Sequence, residues 1–459
     1  MMRVATTLLS PAEMGKVSLV LTTTAFFALF LINPVGMFIN RRLHAWQASG
    51  VARHYLTHYT YYLLLVGLVA VIGLALLFVL GLADFGVSIG WLIFLVCGSL
   101  IFNTINQTAI PSLNLLGDSV RFVLLSLLTI SASFACATLL VKAGQPSAQN
   151  WLFGLLLGQA LLAAIGIRVL FSKLKACENP KQYPSIQKQH LQALFGFAWP
   201  VAIAAGLGWV QGQGYRYFMG EQLGLAELGL FVAGYGISAG MIAGFESVLT
   251  TYFQPRLYRA VSVDQNTDKY AQAWQRYAAA VIPSLVLTVA FIVMLAPELT
   301  RTLLGKNFQS AAVFVIWGAI AEAARVLMGV YSLIAHVYMR TGWLILPNLV
   351  GAMISIILCT VLIPILGAMG VGISLAAAGI VVVVSVHLLL ARRVGGGILF
   401  QPVLISAVSA VVLWLITMSL RNFLSLTGWM LIVSTIVPVG LAYLVLQYLT
   451  LRQHLKNKG

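Results

Sequence analysis

Acidic side chains are scarce in this sequence. Only eleven of its 459 residues are Asp or Glu, and charged residues of both signs together make up 8%. A soluble domain carries about 25%, so an ordinary water-soluble fold is excluded. The 60% hydrophobic content points instead to a polytopic membrane protein. Cysteine is sparse too. Cys97, Cys136, Cys177 and Cys359 form no CxxC pair, and three of them fall inside apolar stretches, which argues against a disulfide framework and a thiolate metal site. No Walker, zinc-binding or nucleophile-elbow motif occurs, and no loop is long enough for a folded catalytic domain. Neither an enzyme nor a cofactor is expected. The first ten residues hold no apolar core of signal-peptide length.

The net charge of +16 does not mark a nucleic-acid binder. No basic run is interleaved with aromatics; the charges sit in short loops between apolar spans. About 20 apolar residues cross a bilayer core, and on that measure the chain holds about thirteen spans. They cover residues 17–39, 61–82, 89–113, 122–141, 151–171, 194–218, 228–252, 277–295, 311–338, 343–366, 371–391, 402–420 and 428–451. With the C-terminus in the cytoplasm, most Lys and Arg fall inside, including Arg41-Arg42, Arg53 and Arg392-Arg393. Only Arg3, Lys16, Lys142, Arg216, Arg301, Lys306 and Arg421 fall on the other side, and Arg325 lies within a span. That bias is the positive-inside pattern.

The stretch 215–258 repeats the plan of the N-terminus. Ala226-Glu227-Leu228-Gly229 aligns with Ala12-Glu13-Met14-Gly15, and each leads through an apolar helix to a basic exit, Pro255-Arg256 in one copy and Arg41-Arg42 in the other. Two related halves are a common transporter plan. The polar, basic, proline-containing stretch 172–192 is the natural linker. It separates an N-terminal bundle, 1–171, from a C-terminal bundle, 193–391, with an added helix pair and tail at 392–459. The span 194–218 before the second copy has no counterpart before Met1. The repeat therefore predicts an N-terminally truncated chain or a late start codon, with about fourteen spans in the complete fold; a true thirteen-span protein is the alternative.

These features resemble the polysaccharide flippase (Wzx-type) branch of the multidrug/oligosaccharidyl-lipid/polysaccharide exporter superfamily. The residues that carry the resemblance are LLSPAEMG before the first span, Arg216 in YRYFMG followed by AELGLFVAGYGI, and Ala296-Pro297-Glu298 with LLGKNFQSAA. Leu366-Gly367-Ala368-Met369-Gly370-Val371-Gly372 adds a fourth motif. Two departures stand out. The family's usual first helix is missing, and Tyr215 stands where the family commonly has Asp before its Arg. The resemblance implies an all-α fold, two pseudo-symmetric bundles around a central cavity, and alternating access in a bacterial inner membrane. It also implies an undecaprenyl-pyrophosphate-linked oligosaccharide as substrate, membrane lipids as surroundings, and a polysaccharide polymerase and chain-length regulator as candidate partners.

Intramembrane charges are costly, at least about 2.5 kcal/mol each on insertion scales, so they are the first functional candidates. Only Glu246 and Glu322 among the acidic residues lie well inside spans. Gly318, Glu322, Arg325, Gly329, Ser332 and His336 recur every three or four residues, on one side of one helix. Such a stripe either lines a cavity, with Arg325 on a substrate phosphate and Glu322 tuning it or taking a proton, or is a self-satisfied pair that fixes packing. Asn103, Asn106, Gln107 and Asn114 form a second polar face, suited to sugar hydroxyls or to helix contacts. Gln211, Gln213 and Arg216 allow a similar reading, with snorkelling as the alternative for Arg216. Glu246 is a candidate ion-coupling site beside Glu322, or a salt bridge to the other half. Gly236, Gly240 and Gly244 on its helix suggest a close helix contact. Asn33-Pro34, Trp199-Pro200 and Pro347-Asn348 are static kinks or hinges. A cation-coupled drug exporter and a membrane polymerase are the competing functions.

Overall fold

The computed structural model describes residues 1–81, 85–175, 188–262, 267–338, 340–391, 400–423 and 429–456. Every regular element among them is helical. Among the described residues, twelve helices are long and apolar enough to cross a membrane, and a shorter apolar stretch, Ile436–Thr450, lies in the last helix. The chain is therefore an all-α multi-pass membrane protein, as its composition requires. Most of the basic stretch 172–192 lies outside the described residues, as do Cys177 and Arg392-Arg393.

Two compact units divide the chain. One holds Met1 and residues 3–229, and the other holds Met2 and residues 230–459. The first contains α1 (Met2–Leu8, but for Met2), α2 (Pro11–Phe27), α3 (Asn33–Ala48), α4 (Ala52–Val79), α5 (Ile89–Leu115), α6 (Ser119–Ala143), α7 (Ala148–Lys175), α8 (Lys188–Gln213) and α9 (Tyr215–Gln222). The division falls within α10 (Leu225–Ser262). The second unit continues through α11 (Thr267–Met294), α12 (Ala296–Leu303), α13 (Ala312–Val337), α14 (Ile345–Leu366), α15 (Ala368–Val386), α16 (Phe400–Phe423) and α17 (Trp429–Lys456).

Local chemistry explains where the first span starts. Ser10 caps α2, its hydroxyl accepting from the Glu13 amide at 3.3 Å, and Pro11 occupies the first turn, where a missing N–H costs nothing. The span consequently runs Pro11–Ile39, earlier than hydropathy places it. Glu13 then reaches the start of α7 and accepts from the Ala148 amide at 2.6 Å, while Lys16 donates to its other oxygen at 2.7 Å. A carboxylate at a helix N-terminus meets the positive end of the dipole. Further along, a π-turn at Ala28–Ile32 joins α2 to α3 immediately before Asn33-Pro34. Proline has no N–H for the helix ladder, and a π-turn absorbs the resulting offset.

The packing is that of a protein in lipid. On α4, Leu64, Leu68, Ile72 and Leu76 recur every four residues and are exposed, while Leu63, Val66, Ala70 and Leu74 are buried. Water would not tolerate such a face; acyl chains would. The aligned tetrapeptides meet inside the first unit. A Cβ added at Gly15 would run into the carbonyl of Leu225, and one at Gly229 into the carbonyl of Pro11. Each carbonyl belongs to the residue four before the opposite glycine, so the crossing is reciprocal about the two glycines. Further along α10, a Cβ at Gly234 would meet the Ala311 carbonyl and one at Gly236 the Met2 side chain, whereas a Cβ at Gly240 or Gly244 would have no described heavy atom within 4 Å. Of the three glycines spaced four apart, Gly236 alone therefore meets a described neighbour, and it meets a flexible side chain; the approaches to backbone on this helix are made at Gly229 and Gly234.

Candidate functional site

The first unit contains a half-open cavity of about 430 Å³, walled by α2, α3, α4, α5 and α7. Asn103 and Gln107 of α5 both line it, one helical turn apart. The Gln107 amide donates to Asn103 Oδ1 at 3.3 Å, which leaves the Asn103 NH₂ and the Gln107 carbonyl for a ligand. Thr24, Asn33, Thr104, Thr108 and Gln159 add hydroxyls and amides. The buried Oε1 of Gln159 has no partner in the structure. An array of neutral donors and acceptors inside an apolar helix layer matches the two-way hydrogen bonding of sugar hydroxyls.

Asn106 does not share this wall. Its amide donates to the backbone carbonyl of Gln159 at 2.9 Å, and the residue is 6% exposed. One step along α5 turns it by about 100°, away from the cavity and onto α7. Asn114, further on, accepts from Ser119 Oγ at 2.8 Å near the end of α5. The sequence signal for Gln159 was a lone amide in an apolar span; that for Asn33 was its place before a proline.

Arg216 is bound to its own unit. It donates to Thr22 Oγ1 at 2.6 Å, to Tyr215 Oη at 3.2 Å and to Gln213 Oε1 at 3.4 Å. Its neighbour Tyr217 shares a 2.7 Å hydrogen bond with Thr23, and Trp209 Nε1 donates to the Thr22 carbonyl at 3.1 Å. Tyr215, the family's usual Asp position, thus offers a hydroxyl in place of a carboxylate. Gln211 is half-buried on α8, two residues from Trp209 and Gln213.

The second unit gathers the intramembrane charges. Arg325 of α13 donates through Nε to Glu322 at 2.6 Å and through a terminal nitrogen to Glu246 of α10 at 2.7 Å. The Tyr235 hydroxyl donates to the other oxygen of Glu322 at 2.6 Å. Glu246 therefore pairs within its own unit. Gly318 lets α13 approach Tyr235, and Ser238 donates to the Val315 carbonyl at 2.6 Å, so the α13 stripe faces α10. His336, at the far end, is exposed. Glu322 is nearly buried, with 10% of its side chain exposed, whereas Arg325 is 48% exposed. Two carboxylates on one guanidinium leave the cluster one negative charge in excess when all are ionised. The exposed edge of Arg325 can still meet an anion. A proton taken up by either glutamate would release half of its clamp.

Each unit is a bundle of membrane-spanning helices with polar groups among them, and the same fold is found in solved structures of membrane transporters. A multidrug resistance MATE family transporter of the MOP superfamily, in an inward-facing conformation, matches over 85% of this chain and 92% of its own, with a TM-score of 0.67 at 15% identity. The lipid II flippase MurJ, in an inward closed conformation, matches over 97% of this chain and 98% of its own, with a TM-score of 0.61 at 13% identity. No curated protein matches the sequence. The family model described as "Polysaccharide biosynthesis protein" matches residues 4–313, and the chain belongs to that family.

Proposed function

We propose that the protein is a flippase for undecaprenyl-pyrophosphate-linked oligosaccharide repeat units, serving O-antigen, capsule or exopolysaccharide synthesis by alternating access. It would act in the bacterial inner membrane with its C-terminus in the cytoplasm, and hand its product to a polymerase and chain-length regulator. The observation that carries the reading is the amide- and hydroxyl-lined cavity within a membrane-spanning unit, in a chain of the polysaccharide biosynthesis family. Asn103 and Gln107 are the sugar contacts in this reading, with Gln211, Asn106 and Arg216 supporting the helices around them. Glu246, Glu322 and Arg325 form the coupling cluster. Translocation breaks no covalent bond, so no catalytic residue is required.

The test is made in the native host with the gene deleted. Complete undecaprenyl-linked repeat units should accumulate on the cytoplasmic leaflet while surface polysaccharide disappears, and the intact gene should reverse both. Repeat units that reach the outer leaflet unpolymerised would point to a polymerase instead. A finer expectation concerns the cavity. Each neutral hydrogen bond is worth about 0.5–1.5 kcal/mol, so Asn103→Ala with Gln107→Ala should lower export about tenfold at unchanged protein level. Wild-type export from that double variant would remove the amide face from the site.

A second reading is favoured by one feature. The excess carboxylate at Glu246, Glu322 and Arg325 suits cation coupling, which a drug exporter of this fold would also need. Unchanged polysaccharide in the deletion strain, with raised sensitivity to lipophilic cations, would select it.

A further inference from the structure

A second cavity lies in the first unit, where α3 ends and α4 begins. It measures about 260 Å³, and Phe38, Arg42, Trp46, Tyr55, His58 and Tyr59 are among its walls. Trp46 and Tyr55 stack with ring centroids 4.3 Å apart and planes within 17°. Aromatic rings are common where helices leave a membrane, and these line a cavity that is about half open. Arg42 is exposed, with its guanidinium 5.0 Å from the Phe38 ring centre, and no described carboxylate pairs with it. His58 Nδ1 lies 2.9 Å from the His54 carbonyl. A carbonyl only accepts, so Nδ1 carries a proton and Nε2 is the ring atom left for a ligand.

Tyr59 lines both this cavity and the amide-lined one, and is 6% exposed. One buried ring therefore forms a common wall. Amides and hydroxyls stand on one side of it; a cation, an imidazole and stacked aromatics stand on the other. At about 300–1,000 Å³, ordinary ligand pockets are larger than the aromatic cavity alone, so it suits one part of a longer molecule. The two chemistries in sequence match a ligand whose sugar, phosphate and hydrocarbon parts follow one another.

We propose that the aromatic cavity at Arg42 and His58 binds the diphosphate and first isoprene units of a prenyl-diphosphate carrier, with the attached sugar beyond Tyr59. The proposal rests on the flippase reading and names the part of the substrate that this second cavity holds. Arg42 supplies charge-assisted donors to the phosphate oxygens. Trp46, Tyr55 and Phe38 supply apolar walls for the chain. The basic cluster of Arg41, Arg42 and Arg53 puts this end of the helices on the cytoplasmic side by the charge bias, where a carrier made in the cytoplasm would load.

The test is direct binding to the purified full-length protein in detergent, with farnesyl diphosphate as probe. Inorganic diphosphate, farnesol and phosphatidylglycerol are the comparisons. Farnesyl diphosphate should bind at least tenfold more tightly than inorganic diphosphate or farnesol, and phosphatidylglycerol should not displace it. A lost charge-assisted contact is worth about a factor of ten or more, so Arg42→Ala should weaken binding by about that factor. Arg42→Lys should restore part of it, and Trp46→Ala should weaken farnesyl diphosphate but not inorganic diphosphate. Arg42→Gln serves if the alanine variant does not fold, and the exposed Lys142→Ala is the charge control. Equal binding by wild type and Arg42→Gln overturns the proposal. So does diphosphate binding as tightly as its prenyl ester, which marks a free-phosphate site, or displacement by phosphatidylglycerol, which marks a general anionic-lipid contact. Loss of export on gene deletion without farnesyl diphosphate binding would sink this inference and leave the flippase reading standing. Binding together with normal export in the deletion strain would do the reverse.

Discussion

Cells producing the Arg325→Ala protein should export no polysaccharide, while Arg325→Lys should retain part of the activity. The alanine variant leaves Glu322 and Glu246 facing a common space with no counter-charge. Breaking a buried pair by removing one partner costs about 3–5 kcal/mol. With 48% of the Arg325 side chain exposed, solvent screening brings the expected loss to about 1–3 kcal/mol. Lysine keeps the charge but has a single nitrogen, so it cannot reproduce the planar fork that reaches both glutamates. Packing and function are separated by a neutral triple variant, Glu246→Gln and Glu322→Gln with Arg325→Gln. It should melt near the wild-type temperature, because the unpaired charge is gone, and still fail to export. Normal export from it, or from Arg325→Ala at equal protein level, would reduce the cluster to a structural tie between α10 and α13. Tyr235→Phe is a milder probe of the same cluster, removing the 2.6 Å hydrogen bond to Glu322.

Gly229→Ala and Gly15→Ala should each lower folded yield and melting temperature sharply, although each adds only one methyl group. At both positions the new Cβ would collide with a backbone carbonyl on the other helix. Backbone cannot rotate away as a side chain can, so the helices themselves must separate. Overpacking of this kind costs about 1–3 kcal/mol, occasionally more. Gly240→Ala on the same helix is the control. Nothing described lies within 4 Å of its Cβ position, and helical alanine is favoured over glycine by about 0.5–1 kcal/mol. It should be neutral or slightly stabilising. Equal melting temperatures for Gly229→Ala and Gly240→Ala in detergent would show that the reciprocal crossing does not hold the helices together.

Parts of the site were legible in the sequence because they depend on spacing along a single helix. Glu322 and Arg325 are three residues apart, so their contact follows from helical geometry alone. Asn103 and Gln107, four apart, share a face for the same reason. What could not be read was which face looks where. Asn106 stands in the same run of amides, yet α7 takes it up through the Gln159 carbonyl. Arg216 carried a family motif, but its hydrogen bond to Thr22 spans 194 positions of the chain. Glu246 joined Arg325 across 79 positions. In the sequence Arg42 is simply part of a basic span exit, and His58 is one of several histidines near a span end.

The sequence by itself determined that this protein lies in a membrane, that it is helical, roughly where its spans fall, and that the stretch 215–258 repeats the plan of the N-terminus. These are additive properties: hydropathy sums along about 20 residues, and a repeat is a comparison of letters. The tertiary structure decided which glycines touch, which amides face a cavity, and that one arginine is clamped by two glutamates. Those outcomes depend on the rotation and approach of helices distant in the chain. In an apolar layer that has little water to satisfy a polar group, that choice of neighbour determines whether a residue packs or binds.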